Sequence, residues 1–158
     1  MIEESEEAST PDQPPQRGAT DLSAMLDSIS VSVRPDPYVI VTVPSTAPVP
    51  RVGGEIGAVI EETEGFTVVA TMSRAAHEGW GHDFVASWLT IDVHSALAAV
   101  GLTAAFSRQL GRAGIPCNVI AGFFHDHILV PVEKAPAAVD VIEALGSSNS
   151  TSTADEKR

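Results

Sequence analysis

The segment best suited to chemistry is His125-Asp126-His127, which lies between two apolar runs. In an extended chain, residues two apart point to the same side, so both imidazoles could face one metal ion. Asp92 or His94 could supply further ligands, and a metal-dependent hydrolase is one hypothesis for this turn. Two histidines alone are weak support for a metal, and a tight turn in which Asp126 orients a histidine is the simpler interpretation. We therefore predict no metal site and no cofactor.

A second polar group, His94-Ser95, follows the apolar run WLTIDV and precedes a helical pattern. Ser95 is suited to cap the helix, and His94 could bind a ligand or hold the turn. Val100-Gly101 lies near the predicted start of that helix. Free N–H groups and the positive end of the helix dipole favour a carboxylate there, and glycine lets a ligand approach the backbone. The same glycine could serve only to pack the helix against the sheet.

Motifs of common enzyme classes are absent from the sequence. It has no phosphate-binding P-loop and no G-x-S-x-G, and Gly79-Trp80-Gly81 lacks the third glycine of a dinucleotide-binding loop. Cys117, the one cysteine, lies in the apolar run CNVIA, which is typical of a buried and unreactive thiol. We predict no catalytic residues and no enzymatic activity.

The composition indicates a globular protein with an acidic surface. The chain has 158 residues, 44% of them hydrophobic, and a formal net charge of −12. This charge repels phosphate backbones and anionic lipid, so neither nucleic acid nor a membrane is an expected partner. A single cysteine fits a reducing compartment, and the acidic start of the chain is unlike a signal peptide. We expect a cytoplasmic protein.

The residue patterns divide the chain into two similar halves between two tails. Residues 1–20 and 146–158 are polar and predicted to be disordered. In residues 21–86 we predict a short helix capped by Asp21, a strand at 38–43, a helix at 56–62 and a strand at 66–70. A brief helical turn capped by Ser73 follows. The loop at 44–54 is rich in proline and glycine.

The second half, residues 87–145, has the clearer pattern. We predict a strand within 84–93, a helix within 96–113, strands at 115–121 and 127–132, and a final helix from Pro136. Strands that alternate with helices and include a hairpin indicate an α+β sandwich with helices covering one face of each sheet.

The stretch from Val93 to Ala104 (VHSALAAVGLTA) and the stretch from Asn118 to Pro131 (NVIAGFFHDHILVP) resemble a family of small tandem ACT-like proteins. The family pattern has a second serine where Ala96 stands and a tyrosine pair where Phe123-Phe124 stand. The upstream runs YVIVTV and IGAVIEETEGFTVVA are similar to the family's first module. The resemblance covers residues 22–145 and implies two ferredoxin-like ACT modules packed side by side.

The resemblance also implies a function, because ACT modules generally bind amino acids or other small metabolites and regulate another activity. The expected ligand is an amino-acid-like metabolite, and the expected assembly is a homodimer, a complex with a partner enzyme, or a monomer. A pure protein–protein interaction module without ligand is the alternative. The turn after the first strand and the following helix start usually line the pocket, together with an Asn of the second strand. The predicted ligand-binding residues are Asp92, His94, Ser95, Val100, Gly101, Leu102, Asn118 and His127.

Overall fold

The computed structural model describes residues 21–93 and 98–155, with side chains described through residue 147. The predicted N-terminal tail, residues 1–20, lies outside the described residues. The helices are α1 (Leu22–Asp27), α2 (Met72–Glu78), α3 (Leu102–Arg112) and α4 (Ala135–Asp155). The strands are β1 (Val31–Pro44), β2 (Ile56–Glu62), β3 (Gly65–Thr71), β4 (Val85–Ile91), β5 (Asn118–Ala121) and β6 (Asp126–Pro131).

The six strands form one antiparallel sheet in the order β2-β3-β1-β4-β6-β5. The first module consists of β1, β2, β3 and β4, with α2 between the last two strands. The second consists of β4, α3, β5, β6 and α4. The predicted α+β class and the two ferredoxin-like modules side by side are confirmed.

The two modules share strands β1 and β4 instead of only touching. The first part of β1, Val31–Val33, pairs with the end of β4, and its second part, from Pro37, pairs with the start of β4 and with β3. A register shift between these parts, where Pro35 and Pro37 offer no N–H donor, bends the strand. The first part of β1 therefore adds a strand to the sheet of the second module, although it precedes that module in the sequence.

The core lies on the face of the sheet that the helices cover. Val85 and Leu89 are four residues apart on β4, so they point to the same face, and they belong to two adjacent apolar clusters. The smaller cluster packs under α2 through Ala75. The larger packs under α1, α3 and α4, and its largest fully buried side chains are Phe106, Met25, Leu89, Ile91, Leu110, Ile128 and Ile142.

The opposite face carries no helix among the described residues, yet its centre is buried. Trp88 is 2% exposed and Tyr38 is 4% exposed. A Cβ atom on Gly57 of β2 would lie 2.5 Å from Cζ3 of Trp88 on β4, although β3 and β1 separate the two strands. The sheet therefore curls strongly around the indole, and only glycine at position 57 leaves space for the ring.

The helix predicted at 56–62 is wrong, because this segment forms strand β2. Ile56 and Ile60 do not share a buried face: Ile56 is 5% exposed and Ile60 is 46% exposed. The segment instead forms a hairpin with β3, in which Glu62 pairs with Gly65. Val59 and the two isoleucines are β-branched and fit a pleated surface, so pairing with β3 outweighs the i, i+4 spacing.

Two helix starts also differ from the prediction. Thr71, and not Ser73, caps α2: its hydroxyl accepts a hydrogen bond from the Arg74 N–H at 3.2 Å. Helix α3 lies within the predicted range 96–113 but begins only at Leu102, with Gly101 and not Ser95 as its N-cap. The cap of α1 is confirmed, since the Asp21 carboxylate accepts from the Ala24 N–H at 2.9 Å.

The C-terminal segment 146–158 is the predicted disordered tail. Its residues up to Asp155 form the last turns of α4, and residues 156–158 lie outside the described residues. Among the described residues, no helix combines the length and apolarity needed to cross a membrane.

Candidate functional site

At one end of the strands, β4 finishes beside the start of β6. This end of the sheet brings together most of the polar residues singled out in the second module. We call this region the rim: the end of β4 at Asp92, the first turn of α3, and the β5–β6 hairpin from Gly122 to His127. Residues Asp126 and Ile91 pair in the β4–β6 ladder, and Ala121 pairs with Asp126 on the other side. Sheet pairing thus places the hairpin directly beside the end of β4.

Helix α3 starts at the rim without a side-chain cap. Gly101 is its N-cap, with φ of 108°, and among the described residues this N-cap makes no side-chain cap hydrogen bond. The first intrahelical bond runs from the Ala105 N–H to the Gly101 carbonyl at 2.8 Å. The N–H groups of Leu102, Thr103 and Ala104 therefore have no intrahelical acceptor. They form a patch of partial positive charge suited to a carboxylate.

One carboxylate lies beside this patch, and a second lies at the end of β4. Asp126 accepts a hydrogen bond from the Thr103 hydroxyl at 3.3 Å, which fixes it beside the first turn of α3. Asp92 is exposed at the end of β4, where its N–H donates to the Ser30 carbonyl at 2.9 Å. Both carboxylates act electrostatically on His127. The rim therefore offers donors for an anionic group and acceptors for a cationic one within the same region.

His127 is held by a neighbouring strand and not by Asp126. Its Nδ1 lies 3.0 Å from the Thr90 hydroxyl, across the β4–β6 pair that joins these two residues. Burial lowers the pKa of His127 below its usual value of 6.5, and nearby Arg34 and His125 lower it further, while Asp126 and Asp92 raise it. The interpretation in which Asp126 orients a histidine is replaced by two separate pairs, His127 with Thr90 and Asp126 with Thr103.

An aromatic and cationic cluster adjoins His127 on the helix-free face. The His127 ring lies 5.3 Å from the Trp88 ring, and the Arg34 guanidinium lies 4.0 Å over the indole. Tyr38 completes the cluster: its hydroxyl accepts from Arg34 at 3.2 Å. The Trp88 indole N–H is buried and has no hydrogen-bond partner in the described part of the chain. The cluster walls the rim on one side and keeps His127 partly desolvated.

The predicted ligand residues are only partly brought together. Asp92, Gly101 and His127 lie at the rim, and Val100 is 83% exposed beside it. Leu102 is 4% exposed in the core, so it can offer only its backbone N–H. Asn118 is exposed on the edge strand β5 opposite Leu129, two residues along the ladder from the Ile120–His127 pair. His94 and Ser95 lie outside the described residues.

Sequence reasoning missed Thr90, Thr103 and Arg34 as parts of this region. Thr90 faces His127 only because of the β4–β6 register, and Arg34 reaches Trp88 only because of the bend in β1. No local pattern carries this information.

Within residues 21–93 and 98–155, no group of three histidine, cysteine or acidic side chains is arranged to hold a metal ion.

Comparison with known proteins agrees with this architecture. Residues 17–87 match a family model described as an ACT domain, and residues 84–144 match a second model with the same description. A crystal structure of a Vibrio cholerae protein of unknown function, described as a possible transport protein, is 36% identical, with a TM-score of 0.67 over 79% of this chain and 95% of that one. A comparison with curated protein sequences gives no match.

More distant solved structures share the fold. A protein from Agrobacterium tumefaciens is 18% identical, with a TM-score of 0.57 over 75% of this chain and 89% of that one. The ligand-free regulatory subunit of aspartate kinase from Thermus thermophilus is 12% identical, with a TM-score of 0.54 over 73% of this chain and 95% of that one. At these identities the likeness describes the arrangement of strands and helices alone.

Proposed function

Because the chain belongs to the proteins with two ACT domains in tandem, we propose that it is a non-catalytic regulatory module that binds an amino-acid-like metabolite at the rim. ACT domains as a class bind small ligands and regulate. The observation that carries the proposal is the start of α3 without a side-chain cap, which lies beside Asp126, together with Asp92, which shares with Asp126 an electrostatic effect on His127. An amino acid is the small metabolite whose two charges match these two features.

The two charges of the ligand have separate partners in this proposal. The ligand carboxylate accepts from the N–H groups of Leu102, Thr103 and Ala104, where the helix dipole favours negative charge. The ligand ammonium lies toward Asp92, which is exposed and has no ion pair among the described residues. Asp126 is held by Thr103 and contributes charge. Neither role requires a bond to be made or broken, so the module is a sensor and not an enzyme.

Binding is tested by thermal shift with each of the common amino acids, followed by calorimetry on those that raise the melting temperature. We expect Asp92→Asn to weaken the binding of such an amino acid by about tenfold, because the negative charge that attracts the ligand ammonium is lost although an acceptor oxygen remains. Glu61→Gln, an equal charge change on exposed β2, is the matched control and should bind normally. No stabilisation by any amino acid, or equal weakening by both variants, would contradict the proposal.

Association with a protein partner is a second candidate function, favoured by one observation. Phe123 and Phe124, at the tip of the β5–β6 hairpin, are 55% and 47% exposed and stack edge to face at 4.9 Å. Exposed aromatic pairs are typical of interfaces. The partner is then a second copy or a regulated enzyme. Sedimentation velocity measures the oligomeric state, and calorimetry measures amino-acid binding. A ligand-free dimer that Phe123→Ser dissociates supports association, and a monomer that binds amino acids supports the sensor.

A further inference from the structure

The crossover between β1 and β2 in the first module is a loop that leaves a cavity beside it. The equivalent crossover of the second module is α3, whose Phe106 and Leu110 are fully buried against the sheet. In the first module, residues 45–55 make this connection without a helix. A cavity of about 500 Å³ remains between this loop and α2. We call it the loop cavity.

One part of the lining of the loop cavity is apolar. Val43 and Ile56 are buried in the sheet at 4% and 5% exposure, and Trp80 follows the end of α2 half-buried. Ala47, Pro48 and Pro50 contribute from the loop. Val49 lines the same cavity and is 62% exposed, which leaves apolar surface that a guest would cover. The cavity volume lies within the usual range of small-molecule sites, roughly 300–1,000 Å³.

Both acidic residues of the loop cavity already have polar partners, whereas one arginine N–H group has none among the described residues. The Glu78 carboxylate is paired with Arg74 at 2.7 Å, and the Glu55 carboxylate accepts from the hydroxyls of Ser73 at 2.9 Å and Thr71 at 3.4 Å. By contrast, the Arg74 Nε–H is buried without a hydrogen-bond partner among the described residues. Arg51 also lines the cavity and makes no ion pair in this part of the chain.

We propose that the loop cavity is a second ligand site, separate from the rim, and that it takes a small monocarboxylate with a branched aliphatic or aromatic body. The carboxylate pairs with the guanidinium groups of Arg74 and Arg51, which both line the cavity. The apolar body packs against Val49 and Trp80. Glu55 and Glu78 stand nearby and disfavour a second negative charge, so phosphate esters and dicarboxylates are poor ligands.

The experiment uses 3-phenylpropanoate as probe and 3-phenylpropan-1-ol as its uncharged control, titrated into the ¹⁵N-labelled full chain. The protein has two tryptophans, so its nuclear magnetic resonance spectrum contains two indole N–H signals. Trp80 lines the loop cavity, whereas Trp88 lies on the helix-free face. We expect the acid to shift the Trp80 indole and the Arg74 Nε–H signals at millimolar concentration, and to leave Trp88 unchanged. Trp88→Phe assigns the two indole signals.

Arginine variants test the proposed recognition. Arg74→Gln should weaken binding of 3-phenylpropanoate at least tenfold, and Arg74→Lys, which keeps the charge without the Nε donor, should give an intermediate loss. Arg108→Gln, an exposed arginine on α3, is the control with the same charge change. Equal shifts with the acid and the alcohol, no shift of Trp80, or unchanged binding by Arg74→Gln would each overturn the proposal. Melting curves of the variants confirm that each is folded.

The proposal for the loop cavity does not depend on the proposal for the rim, and the two can be tested separately. The probe carries no ammonium group, so it lacks one of the two charges that the rim is proposed to recognise. Asp92→Asn should therefore leave the Trp80 response to 3-phenylpropanoate unchanged. A chain that fails to bind any amino acid can still shift Trp80 with the probe, and the reverse result is equally distinguishable.

Discussion

At the scale of single residues, His127 reports on the environment of the rim. It sits between the carboxylates Asp92 and Asp126, the Arg34 guanidinium and the buried Trp88 ring, and it bonds to the Thr90 hydroxyl. Burial, Arg34 and His125 together outweigh the two carboxylates and lower the pKa of His127, so the neutral imidazole is favoured in the folded protein. The unfolded chain has no such preference and keeps the ordinary pKa.

A pH dependence of stability follows from the lowered pKa of His127. Between this pKa and 6.5, the unfolded state binds more protons than the folded state, so the free energy of unfolding rises with pH. The contribution of His127 is fully present above pH 6.5 and is lost as the pH falls through the pKa of the folded state. Urea unfolding at several pH values from about 5 to 7.5 measures it.

Two variants give that measurement its control. In His127→Gln the decline in unfolding free energy on acidification should be smaller than in the unmodified chain. His77→Gln, an exposed histidine on α2, should leave the decline as it is. A folded-state pKa of His127 at or above 6.5, measured by proton resonance titration, would contradict the prediction.

At the scale of elements, the two crossovers of the sheet explain where ligands could bind. Helix α3 covers the second module tightly and presents its uncapped start at the rim. The proline-containing loop at 45–55 covers the first module loosely and leaves the loop cavity. Proline disfavours a helical turn in this loop because it lacks an N–H donor and restricts the residue before it. Similar strand arrangements thus acquire different sites from their connections.

Alanine substitution of two glycines, Gly101 at the N-cap of α3 and Gly111 within the helix, tests which backbone conformation the start of α3 requires. Gly101 has φ of 108°, and a Cβ atom there would lie 3.0 Å from the Leu22 side chain. We expect Gly101→Ala to lower the free energy of unfolding by about 1–2 kcal/mol. Gly111 lies within the same helix with an ordinary φ and open space around it. Gly111→Ala should raise the unfolding free energy by about 0.5–1 kcal/mol.

Urea unfolding of the two alanine variants measures both effects on one helix. Opposite signs are the expected result, because alanine strains the first position and favours helix at the second. A stabilising Gly101→Ala would show that the left-handed backbone at the start of α3 is dispensable.

At the scale of the whole molecule, sharing β1 and β4 makes the two modules one folding unit. A cut at residue 86 would divide β4, and it would separate Val31–Val33 from the β4 residues Leu89–Ile91 with which they pair. Each fragment would lose strands on which its core depends. A ligand at the rim can therefore stabilise the entire chain, which suits a regulatory module.

We expect the fragments 21–86 and 87–145 to lack cooperative unfolding when produced separately, because each exposes apolar surface that the shared strands cover. The intact chain should unfold in one transition, with the same midpoint by circular dichroism and by tryptophan fluorescence. A fragment 21–86 that unfolds cooperatively by itself would show that the modules are independent.

The sequence by itself determined the class of this protein and most elements of its second half. Apolar runs placed β4 and β6, Pro136 and the apolar stripe after it placed α4, and the motifs from Val93 to Pro131 implied the tandem ACT fold. In the first half the same reasoning failed at β2, because Ile56 and Ile60 fit either a helix or a strand until β3 is present as a pairing partner. Asp92, Gly101 and His127 were singled out from the sequence, and the structure places them in one region, the rim; their role in binding stays a prediction.

Only the tertiary structure decided which polar groups meet. The register of β4 against β6 pairs Thr90 with His127, and the bend in β1 lays Arg34 over Trp88. The loop cavity likewise depends on residues 43 to 80, which are distant in sequence and form no motif. Local patterns report burial and backbone preference, which neighbouring residues determine. Contacts between strands depend on long-range pairing, which is set by the packing of the whole sheet.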